Sequence, residues 1–354
     1  MSAPRFRPAL DAIRAFQPTG RVTPPGELVR LLAANESPYP PPGAVVRAIH
    51  EQALGINRYP DNGCGALLAE ISARLGVPAD SVAAGCGSVG ATQMLLAAVA
   101  EPGVEIVYAD PSFEAYRILT RLSGATPVEV PLRDGGHDLP AMAAAITDRT
   151  RLVFVCNPNN PTGTVVAGLE DFVEQVPPDC LVVLDEAYIE YARTGDGLAL
   201  ARGRRNVLVL RTFSKAYGLA GLRVGFVAGH PETIAAIRTA YLPFSVNSIA
   251  QAAAIAALRS ADELMARVSA TIAERDRVSA ELVAQGWPVT PSEANFVWLP
   301  LGDRAADLAV RCAAAGVVVR AFPGAGVRIT IGTPDDNDAF LKVAGPARRP
   351  DGFA

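Results

Sequence analysis

The chain contains almost no lysine. Only two of its 32 basic residues, Lys215 and Lys342, are lysines, and the others are arginines. Arginine stays protonated at physiological pH, whereas a lysine amine can lose its proton and attack a carbonyl carbon. Lys215 follows the apolar run at residues 207–210, which predicts a buried strand. A coding bias against lysine explains the count equally well, so the neighbouring motifs have to decide whether this amine is a nucleophile.

Histidine and cysteine are also scarce. The three histidines lie far apart in the sequence, and the five cysteines form an odd number without a CxxC pair. This pattern argues against a disulfide framework and against a zinc site. We therefore expect no metal site and a reducing environment for the thiols.

A large net charge and long apolar segments are missing as well. The net charge of −4 gives no support for binding to nucleic acid or to an anionic membrane. No run of 18 apolar residues occurs, and the N-terminus lacks the apolar core of a signal peptide. We expect a soluble, cytoplasmic protein with neither nucleic acid nor a membrane as a partner.

The sequence does contain short apolar runs that alternate with longer helical stretches. The runs occupy residues 104–109, 128–130, 152–156, 181–184, 207–210 and 224–228. They predict an α/β fold whose mostly parallel sheet has helices on both faces. Beyond Pro243, predicted helices at 249–258 and 261–285 precede short strands at 296–299, 317–320 and 327–331. The predicted organisation is an N-terminal arm (1–32) that packs with the small domain, a large domain (33–243) and a smaller α+β domain (244–354).

Polar residues follow four of the predicted strands. Asp110 ends one strand, residues 157–163 (Asn-Pro-Asn-Asn-Pro-Thr-Gly) follow another, Asp185 ends a third and residues 211–215 follow a fourth. Ligands of parallel α/β sheets collect beyond the carboxyl ends of the strands. The sequence therefore predicts a site at this edge.

The segment 85–90 (Gly-Cys-Gly-Ser-Val-Gly) matches the GxGxxG pattern of dinucleotide-binding proteins. The strand before it is short and weakly apolar, and Pro111 follows the acidic residue that the pattern requires, so an oxidoreductase is the weaker interpretation. The segment still indicates a phosphate site, because free backbone N–H groups at the start of a helix bind a phosphate of any kind.

Several motifs occur in an order that identifies a family. They are residues 32–38, 57–64, 85–89, 157–163, 185–188, 214–223, 294–299 and 327–332. With them the chain resembles the fold-type I aminotransferases, which share the aspartate aminotransferase-like fold and use pyridoxal 5′-phosphate. Within these it is most similar to the histidinol-phosphate aminotransferase branch, and especially to the actinobacterial aromatic amino acid (phenylalanine) aminotransferases.

The resemblance implies a set of cofactor-binding residues, and each has the chemistry that the role needs. Lys215 holds the cofactor covalently and moves a proton at the substrate Cα. Asp185 pairs with the pyridine nitrogen, and Asn160 and Tyr188 form hydrogen bonds to the phenolic oxygen. The remaining implied contacts are the phosphate ligands Ser88, Val89, Thr212, Ser214 and Arg223, and the stacking aromatic ring of Phe113.

The resemblance also implies substrate contacts and a partner. Arg328 clamps the α-carboxylate, which a planar guanidinium can bind through two hydrogen bonds. Asn35 lies in the segment that closes over the substrate, and Arg320 is a second cation for a side-chain phosphate or carboxylate. Tyr59 reaches the phosphate of the neighbouring subunit, which implies a homodimer with shared active sites.

The implied reaction is the reversible transfer of an amino group between aromatic amino acids and 2-oxo acids such as 2-oxoglutarate, by a ping-pong mechanism. Cys64 and the turn around Ser88 favour the aromatic group. Two alternatives stay open, a histidinol-phosphate aminotransferase and, less favoured, a decarboxylase of amino acid phosphates that uses the same cofactor. A DNA-binding regulator is disfavoured because residues 1–45 are too short and proline-rich to supply the binding segment.

Overall fold

A computed structural model of the chain describes residues 6–11, 13 and 29–347. Most of the predicted N-terminal arm and the last seven residues therefore lie outside the described residues. The strands are β1 (Arg30–Leu32), β2 (Val82–Gly85), β3 (Glu105–Asp110), β4 (Thr126–Pro131), β5 (Thr150–Cys156), β6 (Leu181–Asp185), β7 (Val207–Thr212), β8 (Gly225–Gly229), β9 (Phe296–Leu299), β10 (Val317–Phe322) and β11 (Gly326–Thr330).

Helices connect most of these strands. They are α1 (Gly43–Ala53), α2 (Gly65–Leu75), α3 (Gly87–Val99), α4 (Ala115–Ser123), α5 (Leu139–Ala144), α6 (Leu169–Gln175), α7 (Leu198–Ala201), α8 (Pro231–Arg238), α9 (Ser248–Arg259), α10 (Ala261–Ala284), α11 (Ala305–Ala314) and α12 (Pro334–Ala344). Short 3-10 turns lie at Pro8–Leu10, Ala79–Ser81, Ile189–Tyr191, Ala220–Leu222 and Gly302–Arg304.

Seven strands form the large sheet in the order β2-β8-β7-β6-β5-β3-β4. The strands β4, β3, β5, β6 and β7 run parallel, and β8 is antiparallel to both β7 and β2. The predicted, mostly parallel α/β sheet is therefore confirmed. Its central strands are apolar over their whole length because both faces are covered, as in β7, where all six residues are buried.

Alternate residues of each central strand enter two different apolar layers. Val153 and Val155 face the layer formed with helices α1, α2, α5, α6 and α9. Leu152 and Phe154 face the layer formed with α3, α4 and α8. This is the two-residue period of a pleated strand, and it fixes which strand-end side chains point to the site.

A second sheet of four strands has the order β1-β10-β11-β9, in which β1 is parallel to β10 and the other pairs are antiparallel. It packs against α11, α12 and the end of α10. Strand β10 is two residues longer than predicted, because Phe322 pairs with Gly326 across the turn. This extension brings Phe322 to the edge of the site.

Helix α10 connects the two packing regions. Leu264 and Val268 near its start belong to the core beside the large sheet, whereas Val278 and Leu282 near its end belong to the core of the small sheet. Helix α9, which precedes it, packs on α1 and α2. The boundary at residues 243 and 244 therefore stays a prediction.

The structure carries no sign of a membrane span or of a metal centre in the part that it describes. Across residues 6–11, 13 and 29–347, no helix is both long and apolar enough to cross a bilayer. The same residues contain no group of three or more His, Cys, Asp or Glu side chains arranged to hold a metal ion. The five cysteines are free thiols, and all except Cys86 are buried.

Candidate active site

A cavity of about 390 Å³ lies at the carboxyl ends of β3, β5, β6 and β7. Its volume is in the range of small-molecule sites. The strand ends supply its floor, β10 and β11 supply one wall, and residues 33–36, which follow β1, cover it. The polar residues predicted after β5, β6 and β7 do line this cavity, whereas Asp110 at the end of β3 does not.

Thirteen of the fourteen predicted site residues line this one cavity. They are Asn35, Ser88, Val89, Phe113, Asn160, Asp185, Tyr188, Thr212, Ser214, Lys215, Arg223, Arg320 and Arg328. Tyr59 does not line it: its side chain is 82 % exposed and stacks on Phe244, with ring centroids 4.6 Å apart. The positions agree with the predicted roles, but the roles themselves stay predictions.

The Lys215 amine lies inside the cavity. It donates a hydrogen bond to the carbonyl oxygen of Ala34 at 3.0 Å and lies 6.0 Å from the centre of the Tyr188 ring. Burial and, as a smaller contribution, the positive charge of Arg328 together lower the pKa of Lys215 from its ordinary value to about 7. A lysine with this pKa is partly neutral near pH 7 and can act as a nucleophile or as a base.

Asp185 is the last residue of β6, and its side chain is buried. Its carboxylate accepts a hydrogen bond from the Tyr116 hydroxyl at 2.5 Å and one from the backbone N–H of Ala187 at 3.2 Å. Burial raises the pKa of Asp185 to about 6, and these two hydrogen bonds oppose the increase. A buried carboxylate with two donors is suited to an additional cationic partner.

Tyr116 is a site residue that sequence reasoning missed. It is completely buried on α4, and its ring stacks on Phe154 with centroids 4.4 Å apart. In the sequence it looks like an ordinary core aromatic residue, because its helix is amphipathic and its ring belongs to the apolar layer. Only the packing of α4 against the sheet brings its hydroxyl to Asp185.

An anion-binding cradle lies at the other end of the cavity, where α3 begins. This helix has no side-chain cap at its N-terminus, so the backbone N–H groups of Ser88 and Val89 are free to bind a ligand. The cradle depends on the absence of a side chain at Gly225, because a Cβ atom there would lie 2.5 Å from the nitrogen of Ser88. The positive end of the helix therefore sits directly on β8.

Hydroxyl groups and a guanidinium complete this cradle. The Thr212 hydroxyl donates to Ser214 at 2.9 Å, and Arg223 Nη1 donates to the same Ser214 oxygen at 3.1 Å. Arg223 has a positive φ of 56°, which turns its side chain back over the α3 terminus. Gly87 makes room for it, since a Cβ there would lie 2.4 Å from Arg223 Nη2. Such a set of donors matches a phosphate group.

Arg328 forms the opposite side of the cavity. Its side chain is buried, it donates hydrogen bonds to Asn160 Oδ1 and, at 2.6 Å, to the carbonyl oxygen of Ala33, and its Nε has no partner. Burial lowers the pKa of this guanidinium from its ordinary value. A buried donor without a partner is unusual in native proteins. A carboxylate from a ligand would satisfy it and would offset the cost of the buried charge.

Asn35 ties residues 33–36 to the site. Its Nδ2 donates to the Tyr188 hydroxyl oxygen at 2.8 Å, and its backbone N–H donates to the Thr330 hydroxyl at 2.9 Å. Asn295 donates to the Asn35 carbonyl at 3.1 Å. Burial raises the pKa of Tyr188 to about 12, so the phenol stays protonated and can donate into the cavity. Thr330 and Asn295 lie within recognised motifs, but their contact with Asn35 required the structure.

The donor set fits a phosphorylated pyridine aldehyde. The cradle around Ser88 and Arg223 suits the phosphate, Asp185 suits a protonated pyridine nitrogen, and the Lys215 amine suits the aldehyde. The glycine positions support this fit, because Cβ atoms at Gly87 and Gly225 would fill the phosphate cradle. The residues that line the cavity are therefore compatible with the cofactor that the resemblance implies.

The comparisons with known proteins agree with this geometry. The family model described as aminotransferase class I and II matches residues 27–343. The aromatic amino acid aminotransferase of Thermobifida fusca is 56% identical over 346 residues, which is 96% of each chain. The protein of the same name from Streptomyces avermitilis is 54% identical over 97% of each chain. The crystal structure of histidinol-phosphate aminotransferase from Sinorhizobium meliloti in complex with pyridoxal 5′-phosphate superposes with a TM-score of 0.88 at 28% identity, covering 96% of each chain.

Proposed function

The chain belongs to the class I and II aminotransferases, and we propose that it transfers amino groups between aromatic amino acids and 2-oxo acids. Its cofactor is pyridoxal 5′-phosphate, as in the similar solved structure. The residues proposed to hold the cofactor are Lys215 at the aldehyde, Asp185 at the pyridine nitrogen, and the cradle around Ser88 and Arg223 at the phosphate.

The observation that carries the aromatic assignment is the composition of the cavity wall beside Arg328. Phe322 and Phe113 line the cavity, and the Arg328 guanidinium lies 5.6 Å from the centre of the Phe322 ring. A carboxylate clamp next to apolar rings suits an amino acid with an aromatic side chain. The names of the relatives at 54% and 56% identity support the same substrate class.

The residues of the site can perform the transfer as follows. When bound, the cofactor supplies an electron sink that makes the Cα proton of the substrate acidic. Arg328 binds the α-carboxylate and so fixes the direction of the Cα–H bond. Once the substrate has displaced it, the free Lys215 amine takes this proton, for which a pKa of about 7 is well suited near neutral pH. Residues 33–36 cover the cavity and limit the access of water.

Tyr59 supports the proposal of a homodimer with shared active sites. It stacks on Phe244, and three further exposed apolar residues lie within five positions of one of these two in the sequence, Leu54, Ile56 and Leu242; we take the five as one apolar patch, with exposed fractions between 42 % and 90 %. Exposed apolar patches of this kind mark protein–protein interfaces. We propose that a second copy covers this patch and that Tyr59 reaches the phosphate cradle of that copy. The five free thiols support a cytoplasmic location.

A histidinol-phosphate aminotransferase is the second candidate function. Arg320 lines the cavity, where it could bind the phosphate of such a substrate, and the Sinorhizobium meliloti protein has that name. A decarboxylase of amino acid phosphates would use the same cation. Against both, the relatives at 54% and 56% identity are named aromatic amino acid aminotransferases.

The deciding experiment compares kcat/KM of the cofactor-loaded enzyme for phenylalanine and for histidinol phosphate, each with 2-oxoglutarate. We expect a preference for phenylalanine of about two orders of magnitude. A preference for histidinol phosphate would overturn the aromatic assignment, and carbon dioxide release without an oxo-acid acceptor would overturn the reaction class. Lys215→Ala should abolish turnover, whereas the matched control Lys342→Ala, on the exposed side of α12, should retain it.

A further inference from the structure

Two arginines stand directly opposite each other at the cavity wall. Arg320 on β10 is paired in register with Arg328 on the antiparallel strand β11, and both line the cavity. The ring of Phe322 lies close to both, 5.7 Å from the Arg320 guanidinium and 5.6 Å from that of Arg328. Like charges that face each other across a strand pair destabilise the sheet unless an anion compensates them. An anion on this face would therefore relieve the repulsion between the two guanidinium groups.

Glu114 supplies that anion in this structure. It is the residue before α4, and its two carboxylate oxygens accept hydrogen bonds from Arg320 Nη2 at 3.0 and 2.9 Å. Glu114 also opposes the effect of Arg320 on the pKa of Arg328. No sequence motif pointed to this residue, because a glutamate at the start of a helix is common for reasons of helix stability.

The ion pair between Glu114 and Arg320 is exposed enough to be replaced by another. The Glu114 side chain is 59% exposed and that of Arg320 is 29% exposed. Ion pairs with this exposure contribute little, because water solvates both partners almost as well. A carboxylate that enters the cavity can therefore replace Glu114 at little cost. By contrast, the ion pair between Arg211 and Glu186 is buried.

We propose that Glu114 is an exchangeable counter-ion that sets which side chains this site accepts. It neutralises Arg320 while a substrate with an uncharged aromatic side chain is bound, and it releases Arg320 to the distal carboxylate of a dicarboxylic substrate. The inference rests on the proposed function, in which one cavity receives an aromatic amino acid and a dicarboxylic oxo acid in turn. The carboxylate that displaces Glu114 is thus the distal one of a five-carbon dicarboxylate, which three carbon atoms separate from the first.

The test uses two non-reactive ligands and the cofactor-loaded enzyme. Glutarate carries two carboxylates, and 3-phenylpropanoate carries one carboxylate and an aromatic ring; neither has an amino or oxo group. Their dissociation constants are measured by calorimetric titration at fixed ionic strength. The variant is Glu114→Gln, and the matched control is Glu174→Gln, which removes an exposed glutamate that pairs with Arg204 and does not line the cavity.

We expect Glu114→Gln to strengthen glutarate binding about two- to fivefold, the ratio expected for removing one exposed competing ion pair. Binding of 3-phenylpropanoate should be unchanged or weaker, and Glu174→Gln should alter neither constant. In an Arg320→Gln background, Glu114→Gln should have no effect on glutarate, because the competition is then absent. The melting temperature of each variant is measured in parallel. A purely structural role of Glu114 would change the melting temperature and the dissociation constants of both ligands together.

The proposal is overturned if glutarate binds Glu114→Gln no more tightly than the wild type. It is also overturned if the same increase occurs in the Arg320→Gln background. One combination of results refutes only the proposed substrate. If the wild-type enzyme does not use phenylalanine but Glu114→Gln still binds glutarate more tightly, the aromatic assignment is wrong and the exchange of the counter-ion is supported.

Discussion

The rarity of lysine allows a direct measurement of the Lys215 amine. In the cofactor-free protein, an amine-reactive acylating reagent has only two lysine side chains to modify. Lys342 is exposed on α12 and serves as an internal reference, whereas Lys215 lies in the cavity. Acylation requires the neutral amine, so the labelling rate at each lysine follows its protonation. Mass spectrometry of peptides then gives two pH profiles from one sample.

The expected midpoint follows from the surroundings of Lys215. Burial and the nearby charge of Arg328 lower the pKa of Lys215 from 10.5 to about 7. About half of the Lys215 amines are then neutral at pH 7, on the order of a thousandfold more than for an ordinary lysine. Arg328→Gln removes the like charge, so its Lys215 midpoint should lie at higher pH than in the wild type.

Equal midpoints for the two lysines would refute this reasoning. A midpoint at Lys215 that falls further in Arg328→Gln would contradict the assignment of the charge effect. The same pKa has a consequence for stability. Between pH 7 and 10.5 the unfolded chain binds one proton at residue 215 that the folded chain does not, so this group makes the cofactor-free protein more stable as pH rises through that window.

Three further predictions concern the supports of the site. Tyr116→Phe removes a hydrogen bond to the buried Asp185 that is worth about 1.5–3 kcal/mol. The pKa of Asp185 should rise, and the acid limb of the pH profile of kcat/KM should move upward by about one to two pH units. An acid limb at the wild-type pH would contradict this expectation. Gly225→Ala places a Cβ atom 2.5 Å from the Ser88 nitrogen and should weaken cofactor binding and cost about 1–3 kcal/mol of stability, whereas Gly221→Ala, with open space around it, should do neither. Arg328→Lys cannot reach both Asn160 and the Ala33 carbonyl, so KM for phenylalanine should rise on the order of tenfold, and retention of the wild-type KM would argue against the carboxylate clamp.

Much of the fold could be predicted because its signals are local. The central strands are covered on both faces, so they appear as continuous apolar runs such as residues 207–210. Helix α10 shows the period of an amphipathic helix and was predicted to within one residue. The end of β10 was missed, because Phe322 extends the strand only through its pairing with Gly326, which lies across a turn.

The site residues also fall into two groups, those that the sequence could indicate and those that only the structure revealed. Lys215, Asp185 and Arg223 could be predicted as site residues because they lie in motifs whose order resembles that of a known family. Tyr116 and Glu114 could not, because each is an ordinary residue for its helix and acts only through a partner distant in sequence. Tyr116 meets Asp185 across 69 residues, and Glu114 meets Arg320 across 206.

The sequence by itself determined the family and the alternation of strands and helices, and it predicted which groups bind a phosphorylated cofactor. These depend on local periodicity and on the order of several motifs along the chain. The tertiary structure alone decided the charge state of Lys215, the hydrogen bond that supports Asp185 and the anion that compensates Arg320. Those properties arise from burial and from contacts between remote segments, and neither is encoded in the spacing of residues along the chain.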